Sequence, residues 1–387
     1  MALVASMALA GCASSQTEPA GASDDGTSSS ADSTTAVASC PVIAYIDFGN
    51  VYLDMPIDEF NALGFEYGDC VDVAFSNGYE LQDIPYFNGY YVNVGDPLVV
   101  AYPGYSHVAV AINYGALWDE AGLSEGDTVI VTLDTEDLYD AQQDAFDITY
   151  TDNRDDYSSD EVFANFRACS GGKLKADAVY RSASPIDNEH NRAPYVEALM
   201  KQAGVAYVLD LSDSAEEADE FEAEDEAAGV DISYFMGLRD AGNVGLLNLT
   251  ADYPSQEFSE TLASGLIEMS QHDGPYLVHC IEGKDRTGFV CVLLEALAGA
   301  SYDELRVDYM ATYANYYGIT KESDPDKYEA ISSLNLDGML GFLAGVDENA
   351  EDVDLRSLDY SEPARRYLLG GGMTEEQVDA LVARLVG

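Results

Sequence analysis

A cysteine, an arginine six positions later and two glycines fall within one short run, Val278-His279-Cys280-Ile281-Glu282-Gly283-Lys284-Asp285-Arg286-Thr287-Gly288. They bring a thiol nucleophile, a loop of backbone amides and a planar cation into a space the size of a phosphate. The chemistry these types suit at this spacing is hydrolysis of phosphate esters. Cys280 would attack phosphorus, in a field that favours thiolate over thiol. His279 would donate hydrogen bonds to the loop, and the Thr287 hydroxyl would reach back to the sulfur and stabilise it as a leaving group. Arg286 offers a rigid fork matched to two phosphate oxygens and to the charge they carry in the transition state. Ile281, Glu282, Gly283, Lys284 and Asp285 complete the phosphate-binding run, and amides plus arginine neutralise charge well enough that no metal or cofactor is needed.

These groups work only if flanking elements hold them. Pro275 to Val278 is apolar after a turn signal and reads as a strand, while Thr287 to Ala298 is apolar and long enough for a buried helix. The loop then closes on a helix N-terminus, where unpaired amides and the helix dipole attract an anion. Gly283 and Gly288 let the backbone approach it.

A leaving alcohol or phenol also needs a proton from a carboxylic acid. Three aspartates qualify: Asp285 inside the loop, ranked first, and Asp240 and Asp252 in upstream stretches able to form a mobile acid loop.

The run resembles the Cys-x5-Arg signature of cysteine-dependent protein tyrosine phosphatases, and its Gly-Lys-Asp-Arg-Thr-Gly form is similar to the bacterial tyrosine/serine, dual-specificity branch, which has lipid phosphatase members. The likeness extends to Asn165-Phe166-Arg167, Gly171-Gly172, Val179-Tyr180-Arg181-Ser182, Val208-Leu209-Asp210-Leu211 with Glu217, Asp308-Tyr309-Met310 with Thr312, Tyr313 and Asn315, and Tyr367-Leu368-Leu369, about residues 160 to 387. Where that branch reads Asp-Leu-Arg this chain has Asp210-Leu211-Ser212, so an auxiliary arginine is missing. The resemblance implies an α/β domain with a central, mostly parallel sheet flanked by helices. It also implies a phosphorylated protein, phospholipid or inositol phosphate as substrate. The alternative is a cell-surface binding module with an inactive phosphatase-like domain.

The chain has 387 residues, 47% of them hydrophobic, and a formal net charge of −54. It is long enough for two units with sizeable cores. Such a charge repels nucleic acid and anionic bilayers, so a phosphorylated substrate needs a local basic funnel, for which Arg167, Lys173, Lys175, Arg181, Lys284 and Arg286 are candidates.

The expected order is a signal segment at 1–12, a tether at 13–39, a β-rich unit at 40–150, a linker at 151–160 and the phosphatase-like unit at 161–387. Leu9-Ala10-Gly11-Cys12 resembles a bacterial lipobox, with Cys12 as lipidation site, which implies an extracytoplasmic protein anchored to the membrane through lipid. The Ser/Thr/Ala/Asp-rich stretch behind it cannot bury a core. Runs at 42–46, 71–75, 90–94, 108–112 and 129–133 read as strands of a small barrel or sandwich. Ile46-Asp47-Phe48-Gly49-Asn50, Gly68-Asp69, Ile112 to Gly115 and Gly122 to Asp127 resemble the C-terminal half of S-adenosylmethionine hydroxide adenosyltransferases; this implies a fold and no catalysis. A Cys40–Cys70 bridge is one option for the remaining thiols, Cys291 is expected buried and free, and Cys169 could form a protective disulfide with Cys280. The stretch from Thr320 to Gly345 is a lid or a surface insertion.

Overall fold

A computed structural model of the protein describes residues 36–44, 49–93, 95–102, 104–346 and 353–387. Cys12, the tether as far as residue 35, and Asp47 and Phe48 lie outside the described residues. Seven strands, β1 (Val37–Ala44), β2 (Val51–Pro56), β3 (Cys70–Phe75), β4 (Glu80–Phe87), β5 (Pro97–Val100), β6 (His107–Ile112) and β7 (Thr128–Thr135), close into a barrel in the order β1-β2-β6-β5-β4-β3-β7. Strand residues alternate between two environments, as a pleat requires. Val71, Val73, Val99, Val108, Val110, Val129 and Val131 share one core, whereas Leu98, Val100, Ala109 and Ala111 belong to a second, packed under the rings of Tyr52, Tyr90, Tyr91 and Tyr105.

Several barrel expectations are corrected. Residues 37–39, expected in the tether, belong to β1. Residues 90–93 form no strand, because the chain turns at Asn88-Gly89 after β4. Cys40 pairs with Val129 and Cys70 with Thr135 on β7, which lies between their strands, so the two thiols are out of disulfide reach; both are free.

The second sheet contains β8 (Arg167–Ala168), β9 (Val179–Ser182), β10 (Tyr207–Asp210), β11 (Val244–Leu246) and β12 (Tyr276–His279), ordered β11-β10-β12-β9-β8. The first four of that order run parallel and β8 runs antiparallel at the edge. Tyr207, Leu209, Tyr276 and Val278 enter one core, while Val208 and Leu277 enter another. Two buried faces explain why these strands are apolar throughout. Helices over Gln256–Gln271 and Asp285–Leu297 contribute to the first core, and the helix over Ala193–Ala203 to the second. β12 is the middle strand, and the loop after it opens at the C-terminal ends of the parallel strands, where such sheets bind ligands.

The 320–345 stretch is neither lid nor surface insertion. Helices over Pro325–Ile331 and Gly338–Ala344, joined by a π-helical turn, send Ile331, Leu336, Leu340 and Leu343 into the first core. The helix at Asp140–Phe146, which follows the barrel, packs on Pro325–Ile331. Residues 36–387 form one compact unit. Among the described residues no helix is long and apolar enough to cross a membrane.

Candidate active site

Cys280 follows β12 directly, and the loop from Ile281 to Lys284 leads into the helix at Asp285. Gly283 makes this turn possible. Its φ is +67°, and a Cβ there would lie 2.1 Å from the Ser182 carbonyl oxygen, so only hydrogen fits.

The loop carbonyls are held by groups from elsewhere in the chain. The Ile281 carbonyl accepts from the Ser184 amide at 2.9 Å. The Glu282 carbonyl accepts from the Tyr316 hydroxyl at 2.7 Å and from Asn165 Nδ2 at 3.3 Å. The Gly283 carbonyl accepts from Arg181 Nη2 at 2.9 Å and Asn165 Nδ2 at 3.2 Å. In a trans peptide the N–H points opposite to the preceding carbonyl, so anchoring these carbonyls turns the amides of Glu282, Gly283 and Lys284 the other way. Among the described residues, none of the amides from Ile281 to Arg286 donates a hydrogen bond. Unpaired amides converging at a helix N-terminus form an anion cradle.

Arg181 is the keystone of that anchoring. It is wholly buried, and its Nη1 donates to Asp308 Oδ2 at 2.5 Å, while Arg167 Nε reaches Asp308 Oδ1 at 3.1 Å. Burial opposes the charge on Asp308, but the two guanidinium groups outweigh it and hold the carboxyl below the usual carboxylate range. Burial likewise opposes the charge on Arg181, and Asp308 more than restores it.

Cys280 and Arg286 line one cleft of about 360 Å³, with Ile281, Glu282, Asp285, His190, Thr250, Ala251 and Tyr114. The Cys280 thiol and the Arg286 guanidinium thus border a shared space large enough for a phosphate. Arg286 Nη1 also donates to the Leu249 carbonyl at 2.8 Å, which fixes the fork from behind. Asp285 borders the cleft, with 59% of its side chain exposed and Lys284 Nζ 3.9 Å away. Asp240, exposed at the end of the Ser233–Asp240 helix, does not border it. Nor does Asp252, whose carboxyl burial pushes upward.

Other expected residues sit differently. The His279 ring is buried, and neither nitrogen makes a hydrogen bond, so it donates none to the loop. Burial pushes its pKa down to about 4, against the pull of the nearby Asp213 carboxyl and the Cys280 backbone. Beside it, burial raises Asp210 to about 6 and Asp213 to about 7, the latter helped by the Asp210 charge. Thr287 Oγ1 is buried without a hydrogen-bond partner, so the expected bond to the sulfur is not made. Lys284 does not border the cleft. Its Nζ lies 2.8 Å from Glu282 Oε2, and although burial opposes its charge, Asp285 and Glu282 hold its pKa well above the usual lysine value. Glu282 also accepts from the Tyr150 hydroxyl.

The expected basic funnel is not assembled. Arg167 and Arg181 lie behind the loop, Lys173 does not border the cleft, and Lys175 Nζ donates to the carbonyls of Ala383 and Arg384 near the C-terminus. At Ser212, the position of the missing arginine, the amide and hydroxyl both donate to Asp210 Oδ1. Cys169 packs against Cys291 in the core, away from the cleft, and both are free. Cys169, Glu295 and Asp308 are close enough to share a metal, but Asp308 is committed to two guanidinium groups and Glu295 Oε1 to the amides of Ser170 and Gly171.

Sequence reading missed His190 and Tyr114. His190 Nδ1 lies 3.1 Å from Asp152 Oδ1, which also accepts from Arg192. These bonds, with that from Arg192 Nη2 to the Thr151 carbonyl, tie down the stretch expected as a linker. Asn165 and Arg181 carried a signal as parts of the phosphatase-like segments, Tyr114 lies in the barrel segment Ile112 to Gly115 whose likeness implied a fold and no catalysis, and the isolated His190 carried none.

The model of the Tyrosine phosphatase family matches residues 163–387. No curated protein matches the chain. Among solved structures, an uncharacterized conserved protein from Thermotoga maritima is 24% identical over 24% of this chain, with a TM-score of 0.22. That match spans 35% of the other protein's length.

Proposed function

Since the chain belongs to the tyrosine phosphatase family, we propose that it is a phosphoric monoester hydrolase working through a cysteinyl-phosphate on Cys280. The observation that carries this is the loop of unpaired amides, its carbonyls anchored elsewhere, beside a thiol and a guanidinium that share one cleft. A phosphate seated there is held by the amides of residues 281–286 and the Arg286 fork, leaving the sulfur of Cys280 in line with the ester oxygen. As the S–P bond forms and the P–O bond breaks, Asp285 gives its proton to the departing oxygen. Water then attacks phosphorus, Asp285 takes back a proton, and phosphate leaves as the thiolate is restored. Preorganised amides stabilise charge on the equatorial oxygens in both steps. Thr287, buried in the first turn of the helix after the loop, can turn its unbonded hydroxyl towards the thiolate as the phosphate departs.

The substrate is a phosphotyrosyl protein, with phosphoserine as a further member of the dual-specificity range. The site of action is extracytoplasmic, with lipid on Cys12 as the anchor.

The test is phosphate release from an aryl phosphate by the wild type and Cys280→Ser. Turnover should fall by at least about 10⁴-fold in the variant, vanadate should inhibit, and a chelator should not. Equal turnover in the two proteins would remove Cys280 from the chemistry. Wild-type binding of aryl phosphate without turnover would favour a phosphate-binding module.

A further inference from the structure

Tyr114 belongs to the barrel yet stands at the mouth of the catalytic cleft. It occupies the turn after β6, where the Gly115 amide donates to the Ile112 carbonyl at 2.9 Å. Its φ of 56° lies in the left-handed region, which a side chain resists and glycine adopts freely. The residue is 55% exposed, so packing does not explain it. Its position offers a reason: it borders both the Cys280 cleft and a larger groove of about 1050 Å³. Ala251, Asp285 and Arg286 are the other residues common to both, so the groove adjoins the cleft beside Asp285 and Arg286.

One wall of the groove is barrel and the other is phosphatase. Phenol rings and side-chain amides dominate the barrel wall, among them Tyr90, Tyr102, Asn50 and Asn113, and Asn335 faces from the other side. Among the described residues that line it, Arg286 is the one cation, against Asp119 and Asp285. Phenol faces stack on flat, uncharged groups, and carboxamides pair with amide and hydroxyl groups. A second or third phosphate would find no basic partner here, since Lys284 is turned to Glu282, and would meet a chain of net charge −54.

Resting on the phosphatase reading above, we propose that the barrel supplies the leaving-group half of the substrate site. In this arrangement Tyr114 is a specificity-determining residue that stacks on an uncharged aryl leaving group and excludes polyanionic ones. The aryl group has two sources, a small aryl phosphate filling only the space beside Tyr114 and a phosphotyrosyl peptide running on along the groove past Tyr102.

The experiment compares kcat/KM of the full chain and of Tyr114→Gly and Tyr102→Ala on a small aryl phosphate, a phosphotyrosyl peptide of about ten residues and a soluble inositol trisphosphate, together with melting temperature. Tyr114→Gly should lose about tenfold on both aryl substrates, gain or hold on the inositol trisphosphate, and melt no lower than wild type. Tyr102→Ala should lose on the peptide alone if the groove takes a chain. Loss on the small aryl phosphate as well would restrict the site to a compact aryl group. An equal loss on all three substrates, no loss on the aryl substrates, or a wild-type preference for the inositol trisphosphate would each overturn the proposal. If wild type turns over none of them, the phosphatase reading fails by itself. Peptide affinity in Cys280→Ser with and without Tyr114→Gly then decides the groove, a drop of about tenfold supporting it and no change refuting it.

Discussion

Gly283 carries the most demanding position in the loop. A methyl group there meets the Ser182 carbonyl at 2.1 Å on a backbone already at φ +67°, and Ser182 cannot retreat because β9 is paired on both sides. Gly283→Ala should therefore shift the cradle by a fraction of an ångström or more and lower kcat by about 10²-fold, read as phosphate release, while the far-UV circular dichroism stays native. Full activity in that variant would mean that the loop does not need this geometry. At this scale the sequence was legible where chemistry and backbone demand coincide: Cys280, Gly283, Asp285 and Arg286 all lie at the cleft or shape it. It was less legible where a side chain's surroundings decide its role. His279 and Lys284 read as site residues because of their neighbours in the chain, but burial strips the charge from the first and Glu282 claims that of the second.

Among elements, β8, β9 and the helix at Tyr302–Tyr317 meet through Arg167, Arg181 and Asp308. The folded pKa of Asp308 is depressed, so its contribution to stability is present above the unfolded carboxylate value of about 3.9 and is lost as pH falls through the folded value. Asp308→Asn leaves two guanidinium groups without their anion and should cost about 3–5 kcal/mol at pH 7 in denaturant unfolding. The difference from wild type should shrink below about pH 4; a pH-independent difference would point to packing instead. Asp213 has the opposite sign. Its folded pKa, raised to about 7, gives stability that is full below about pH 4 and lost as pH rises through 7. Asp213→Asn should accordingly stabilise the protein at pH 8 by about 1–3 kcal/mol and leave it little changed at pH 4. A destabilised variant at pH 8 would refute the buried, reluctant carboxylate. The helices at Ala193–Ala203 and Gln256–Gln271 are legible in the sequence because each buries a regular apolar stripe. The helix at Ala215–Ala228 leaves no apolar periodicity in the sequence because it is acidic and buries little, although Ser214 and Glu217 cap it in a reciprocal box. β2, β4 and β5 were hidden by Pro56, Pro85 and Pro97, residues that ordinarily argue against a strand.

Across the whole molecule a net charge of −54 sets the background. Self-repulsion is screened by salt, so the melting temperature should climb by roughly 5 °C or more between low ionic strength and about 0.5 M sodium chloride. A flat or falling response would show that ion pairs such as Arg365 with Glu375 and Asp379 outweigh the repulsion. That the barrel approaches the phosphatase cleft was not readable from sequence, since it depends on a turn residue and on the packing of Asp140–Phe146 over Pro325–Ile331.

The anchoring of the loop carbonyls has one more consequence. Asn165, Arg181 and Tyr316 come from segments far apart along the chain, so the cradle cannot exist until all three have reached their places. Catalysis is in this sense an audit of assembly: a nascent, nicked or half-refolded chain carries the same cysteine but no shaped receptacle, and specific activity counts finished molecules.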